Sequence, residues 1–254
     1  MRALPRAFCA LLALILLTGA RDPILIPEVS QHEVQVRQGF TGAELLLFGA
    51  ILNPEGLRAG RDYDIVVVLK GPTQSIVLRE KQKVAGIWIN ADSTQFRSAP
   101  SFYAIASTRP IRDIVDEKTA AIYELGLPWL QLSPIGAIDP AEQQRFAAGL
   151  VELRTREALY NQAEGSVQVN GQVLYQARIS LPSNVLTGTY TAETFAINRG
   201  RVVASATSRV EVRKRGFEGA IVNFAEDNGF FYGLLAVGLS VLMGWIAGRL
   251  FALV

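Results

Sequence analysis

From Gly229 to Gly248 the chain runs for twenty residues without a charged side chain. At ~1.5 Å per residue, a helix of that length matches the ~30 Å hydrocarbon layer of a bilayer. A buried core helix is seldom apolar on every side for so long, so 229–251 is read as a transmembrane helix and 252–254 as a short cytoplasmic tail. Tyr232 and Trp245 stand near its two ends, where aromatic rings suit the interface, and Arg249 reaches the headgroups from the last turn. Whatever precedes this helix must fold beside a membrane.

The other end carries a second apolar block. Arg2 and Arg6 are followed by an uncharged run from Ala7 to Leu17 and by the small residues Thr18-Gly19-Ala20. This is the pattern of a secretory signal peptide over 1–20, and its apolar core spans roughly 16 Å as a helix, about half a bilayer. A leader followed by a C-terminal stop predicts a single-pass protein of the inner (cytoplasmic) membrane with its main domain in the periplasm. Arg213, Lys214 and Arg215 lie on the exported side, where cations are disfavoured, and the leader is expected to outweigh them. The only cysteine, Cys9, falls within the leader, so the mature chain is expected to carry neither disulfides nor thiolate metal sites.

Residues 21–228 hold 22 basic and 23 acidic side chains, a balance that excludes nucleic acid as the partner. Segments rich in Val, Ile, Leu and aromatics predict strands at Glu33 to Arg37, Glu44 to Ile51, Asp62 to Lys70, Ser75 to Arg79, Val84 to Asn90 and Ser101 to Ser107. Asn53-Pro54-Glu55-Gly56 and Gly71-Pro72 supply reversals between them. Apolar spacing then turns helical from Asp113 to about Leu125, as in Ile114, Ile122 and Leu125, and from Asp139 to about Tyr160, as in Phe146, Leu150 and Leu153. Asp139-Pro140 with Glu142 has the chemistry of a helix start, and Asp116-Glu117 that of a negatively charged first turn. Strands return around a two-residue turn at Asn170-Gly171, and again around Arg199-Gly200 between Gly188 to Asn198 and Arg201 to Arg213. Tyr190, Phe195, Val202 and Val210 are the core-facing side chains expected there.

The fold expected is mainly β. It is an immunoglobulin-like antiparallel β-sandwich over 21–215 with a helical insertion at about 111–162, preferred to two separate domains because the last β block is too short to stand alone. Residues 216–228 form a juxtamembrane amphipathic linker, either flat on the membrane or packed on the domain.

Three stretches carry a resemblance. Tyr103-Ala104-Ile105-Ala106-Ser107-Thr108-Arg109-Pro110, then Leu181-Pro182 with Gly188-Thr189-Tyr190, and finally Tyr232-Gly233-Leu234-Leu235-Ala236-Val237 with Gly244-Trp245 resemble a transmembrane protein family described from alphaproteobacteria. The similarity runs over most of the mature chain. It implies a signal peptide, a periplasmic region and one C-terminal helix, and it brings no catalytic residues. Some members are encoded beside sulfite-exporter-type permeases, which implies an accessory role.

The residues themselves do not assemble a catalytic centre. His32 is the only histidine and sits between Gln31 and Glu33, so no multi-histidine metal site can form, and a catalytic triad would have to use it. No phosphate loop or dinucleotide fingerprint is present, and Asp62 with Asp64 reads as a polar strand start. No enzyme activity, cofactor or metal is expected. Trp88, Tyr103, Arg109 and Arg112 are the candidate surface for a partner or ligand, combining aromatic anchors with cations. In the membrane helix Ala236, Ser240, Gly244 and Gly248 recur every four residues, a ladder that lets two helix backbones approach closely. The expected partner is an integral membrane protein or a second copy of the chain. The function that follows is an accessory or assembly subunit of an inner-membrane complex; the alternative is a small-solute or anion binding module serving a permease.

Overall fold

A run such as Ile65-Val66-Val67-Val68-Leu69 puts apolar side chains on both faces of a strand, which suits only a strand covered on both sides. In the computed structural model, which describes residues 23–37, 39–52, 63–136, 139–171, 173–214 and 217–251, these five residues are fully buried within strand β4 (Asp64–Lys70). The expected signal peptide, the Asn53 to Gly56 turn, Asp62 and the tail 252–254 lie outside the described residues.

What covers the two faces of β4 defines the architecture. Its sheet runs in the order β2 (Glu33–Val36), β13 (Arg201–Lys214), β12 (Gly188–Asn198), β4, β7 (Tyr103–Ser107) and β9 (Tyr160–Ala163). The inner face packs on a second sheet ordered β1 (Ile24–Val29), β3 (Gly42–Leu52), β11 (Leu174–Pro182) and β10 (Gln168–Asn170). Alternation along β3 sends Leu45, Leu47 and Ile51 inward, and along β11 Tyr175, Ala177, Ile179 and Leu181. One continuous cluster of buried side chains joins both sheets and both halves of the chain. Strand pairing in both sheets is antiparallel except for the parallel pairs β2–β13 and β7–β9.

The outer face of the larger sheet is closed by the insertion. Short helices α1 (Ile111–Ile114) and α2 (Glu117–Tyr123) bring Ile111, Ile114, Ala120 and the following Leu125 into the same buried cluster, and Tyr123 meets the Phe195 ring edge-on at 5.5 Å. The single helix expected over 113–125 is thus two, because Val115 adopts an extended conformation and Asp116 starts a new cap, accepting a 2.9 Å bond from the Thr119 amide. Ile122, part of the apolar spacing that suggested one helix, is 61% exposed on α2. Helix α3 (Pro140–Arg156) begins as predicted, Asp139 capping the Ala141 amide at 2.8 Å, and buries Phe146 and Leu150. It stops short of Tyr160, whose ring is needed in β9.

Between β4 and β7 the chain makes an arm. Strands β5 (Thr73–Val84) and β6 (Ile87–Pro100) pair along their length and continue the β4–β7 ladder through Gly71 and Ser101, whose amides donate to Phe102 and Pro72 carbonyls at 2.8 and 2.9 Å. A short strand, β8 (Ser133–Pro134), pairs with β6, and α3 packs along the base of the arm through Phe96, Ala99, Leu132, Phe146 and Leu150. The sequence places a reversal between Arg79 and Val84; the reversal is instead at Ala85-Gly86, both at positive φ (49° and 87°), the geometry of a two-residue type I′ turn. The Asn170-Gly171 turn also differs. Asn170 still pairs with Leu174, so the connection is three residues long and not two. Arg199-Gly200 is the two-residue turn predicted, with φ of 50° and 79°.

Strand β13 ends at Lys214. Helices α4 (Phe217–Asp227) and α5 (Gly229–Phe251) follow, with helical hydrogen bonds carried across Asn228: its amide donates to Phe224 and its carbonyl accepts from Tyr232, both at 3.0 Å.

Candidate functional site

The four residues expected to share one surface do not meet. Tyr103 is fully buried, because β7 is covered on both faces and Tyr103 lies opposite Lys70 on the outer one, under the insertion. Its hydroxyl donates to the Glu124 carbonyl at 2.6 Å and accepts from the Gly126 amide at 3.0 Å, and desolvation lifts its pKa far above the usual tyrosine range. Tyr103 therefore clamps the insertion onto the sheet. Beside it Lys70 bridges Glu124 at 2.7 Å and Glu193 at 3.5 Å, tying the same loop to β4 and β12.

Arg109 is committed as well. Its guanidinium grips Asp64 through both carboxylate oxygens, with Nε to Oδ1 at 2.8 Å, while the Thr108 hydroxyl donates to the same Oδ1 at 3.0 Å and accepts from the Ile65 amide at 3.3 Å. The bond from Arg109 is the main reason the Asp64 carboxyl stays below the usual carboxylate range. A lowered carboxyl pKa stabilises the fold at neutral pH, and that contribution is lost as the pH falls through the lowered value. Arg109→Met should lower the thermal midpoint at pH 7. The gap from the native chain should narrow as the pH falls below the ordinary carboxylate range and through the lowered Asp64 value, as thermal unfolding followed by near-ultraviolet circular dichroism would show.

Arg112 is 85% exposed and lies 3.8 Å from Asp113, a solvated neighbour pair of little energetic weight. Trp88 sits near the arm tip, 65% exposed. About twenty residues of ribbon, on the order of 60 Å of contour, separate it from Asp64 and Arg109. Sequence proximity to Tyr103 concealed this, since β6 runs away from the tip for its whole length before β7 begins.

The clefts are shallow. One of about 380 Å³ lies where β3 and β11 meet the start of β9, lined by residues including Glu44, Asn161 and Ser180, with no cation among them. Another of about 360 Å³ lies between the arm and α3, where Arg145 holds Asp92 at 2.9 Å and Glu80 at 3.4 Å. Among the described residues no three His, Cys, Asp or Glu side chains converge as metal ligands would.

The predicted helix-contact residues do share one side. Ala236, Ser240, Gly244 and Gly248 follow one another at four-residue intervals along α5, where each step returns to nearly the same face. Ser240 turns its hydroxyl back to the Ala236 carbonyl at 2.9 Å, which removes its polarity from the surface, and a Cβ added at Gly244 or Gly248 would meet no atom within 4 Å. The ladder is a flat, apolar, uncovered strip. Beside it Leu234, Val237 and Val241 are exposed, and the Arg249 guanidinium sits 5.6 Å from the centre of the Trp245 ring.

A mainly antiparallel β domain is followed by α5, which over Gly229–Arg249 is the one helix among the described residues long and apolar enough to cross a membrane, none of it buried against the domain; together they describe a membrane-associated protein with a C-terminal candidate span. The chain belongs to the family described as "Putative transmembrane protein (Alph_Pro_TM)", whose profile it matches over residues 24–252. Among curated proteins none matches it.

Proposed function

We propose that the protein works by contact and not by chemistry, as an accessory or assembly subunit of an inner-membrane complex, with its sandwich held in the periplasm by α5. The observation that carries this reading is the uncovered ladder on α5: four small residues on one side of the span, with the one polar group among them already satisfied within the helix. In lipid, helices associate through close backbone packing, and a face of this shape admits a neighbouring helix where bulky side chains would hold it off. Anchoring raises the local concentration of the sandwich near its client, so modest contacts suffice. The partner is an integral membrane protein, with self-association through α5 as the other outcome of the test.

The test is mild crosslinking of the tagged full-length chain in its native membrane, followed by mass spectrometry of what co-purifies. The control replaces 229–251 with an unrelated span. A membrane protein recovered with the native chain and lost with the control is the expected result. Equal recovery with both would remove the helix from the account. The alternative, a solute or anion binding module, has the 380 Å³ cleft in its favour, and the lack of any cation in that lining speaks against an anion.

A further inference from the structure

We propose that the tip of the β5–β6 arm is a second membrane contact, entering the interfacial layer of the bilayer that holds α5. Four observations converge on this. The first is topology: β12 is antiparallel to both β4 and β13, and Lys70 lies level with Thr191 and Arg209, so the arm leaves the sandwich at the end where β13 delivers the chain to the membrane helix.

The second is the composition of the tip. Val84, Ile87, Trp88 and Ile89 are 51%, 69%, 65% and 45% exposed, a concentration of apolar surface that a domain in water seldom presents. The cross-strand pairs put Val84, Ile87 and Ile89 on one face and Trp88 beside Lys83 on the other. The third is charge. From Lys81 to Ala91 there are two cations and no anion. Aromatic and aliphatic side chains edged by lysine match the interfacial layer and the anionic headgroups above it, whereas the nearest acidic residues, Glu80 and Asp92, are already held by Arg145.

The fourth observation is the turn. A type I′ turn favours Asn or Gly at its first central position, because both tolerate positive φ. Here Ala85 occupies it at φ 49°, a conformation an alanine adopts at a cost, and the result is a tip without a polar side chain from Val84 to Ile89. Reach is sufficient. The tip lies on the order of 45 Å of ribbon beyond Lys70, against about 16 Å for α4 between sandwich and span, so the arm meets the surface obliquely.

The contact is independent of the partner proposed above and is read without one. The full-length chain carrying Trp129→Phe and Trp245→Phe keeps Trp88 as its only tryptophan. It is reconstituted into vesicles of phosphatidylcholine and phosphatidylglycerol, with and without bromine on the acyl chains near the headgroups. The expected result is blue-shifted Trp88 emission that falls about twofold or more with the brominated lipid, and less after Lys81→Glu with Lys83→Glu. Red-shifted, unquenched emission would place the tip in water and overturn the proposal. Blue-shifted emission that ignores bromine and follows protein density would seat the tip on a second copy and overturn it equally. If Trp129→Phe loosens the insertion, Ile87→Cys labelled with an environment-sensitive dye in a Cys9→Ser chain reads the same contact.

Discussion

Gly49→Val unfolds the sandwich at temperatures where the native chain remains folded. Gly49 is buried in β3 opposite Pro27 and Tyr175, and an added Cβ would stand 2.3 Å from the Ile26 carbonyl oxygen and 2.6 Å from the Tyr175 hydroxyl. A flexible side-chain end can move aside, but here the nearer obstacle is backbone on the neighbouring strand, and relief requires separating β1 from β3. Overpacking of this kind costs about 3 kcal/mol or more, a large share of the stability of an ordinary domain. Replacing a glycine has the opposite sign elsewhere. Gly149 lies inside α3, where a Cβ would touch only Leu78 at an ordinary 3.8 Å, so Gly149→Ala should stabilise by roughly 0.5–1 kcal/mol through the reduced entropy of the unfolded chain. Thermal unfolding of the two full-length variants in detergent, side by side with the native chain, reads both signs.

Gly244→Leu with Gly248→Leu removes the partner without touching the fold. Both glycines look out of α5 into open space, so leucine enters without internal clash and has the higher helix propensity. The loss falls on association alone. Two isobutyl groups on the strip hold a neighbouring backbone away, and recovery of the crosslinked partner should drop at least about tenfold, equivalent to ~1.4 kcal/mol, while expression and thermal midpoint stay at native values. Unchanged recovery would mean that the complex forms through the sandwich or through another face of α5.

How far the sequence discloses this arrangement depends on what each pattern encodes. The unbroken apolar runs of β4 and α5 carry their environment in composition, since covered strands and spans have no polar face to conceal. Tyr190 and Val210 are likewise buried, with Val202 packed partly against the core, whereas Phe195 points to the opposite face from Tyr190 and is buried by the insertion, where Tyr123 meets its ring. Strand β1 is harder to see because Pro27 interrupts it; it is tolerated there since β1 is the edge of its sheet. The arm is misjudged because Ala85-Gly86 lacks the Asn or Asp that marks a tight hairpin, whereas the charged stretch around Glu80 to Lys83 looks like a loop.

The misplaced site has a different cause. Tyr103 and Arg109 flank a strand whose outer face would be solvent in a plain sandwich; only the insertion, brought back by β9, buries the first and leaves the second at the rim with Asp64. A local pattern holds no record of that cover. A partial signal did exist in the uniformly apolar Ala104-Ile105-Ala106, too short an outer face for water. The ladder on α5 was legible because a helix keeps its four-residue spacing without help from the rest of the fold.

The most direct test of the claim that this face binds a partner is a cysteine scan of α5. Cys9 is the only native cysteine, so a Cys9→Ser chain is a silent background. Single cysteines are placed at Ala236, Ser240, Gly244 and Gly248, and at Leu242 and Ile246 on the opposite side, and a short thiol crosslinker is applied in native membranes. The account predicts crosslinks to one membrane protein at the four ladder positions and little at the other two. Equal yield at all six positions, or the strongest yield at Leu242 and Ile246, would contradict it.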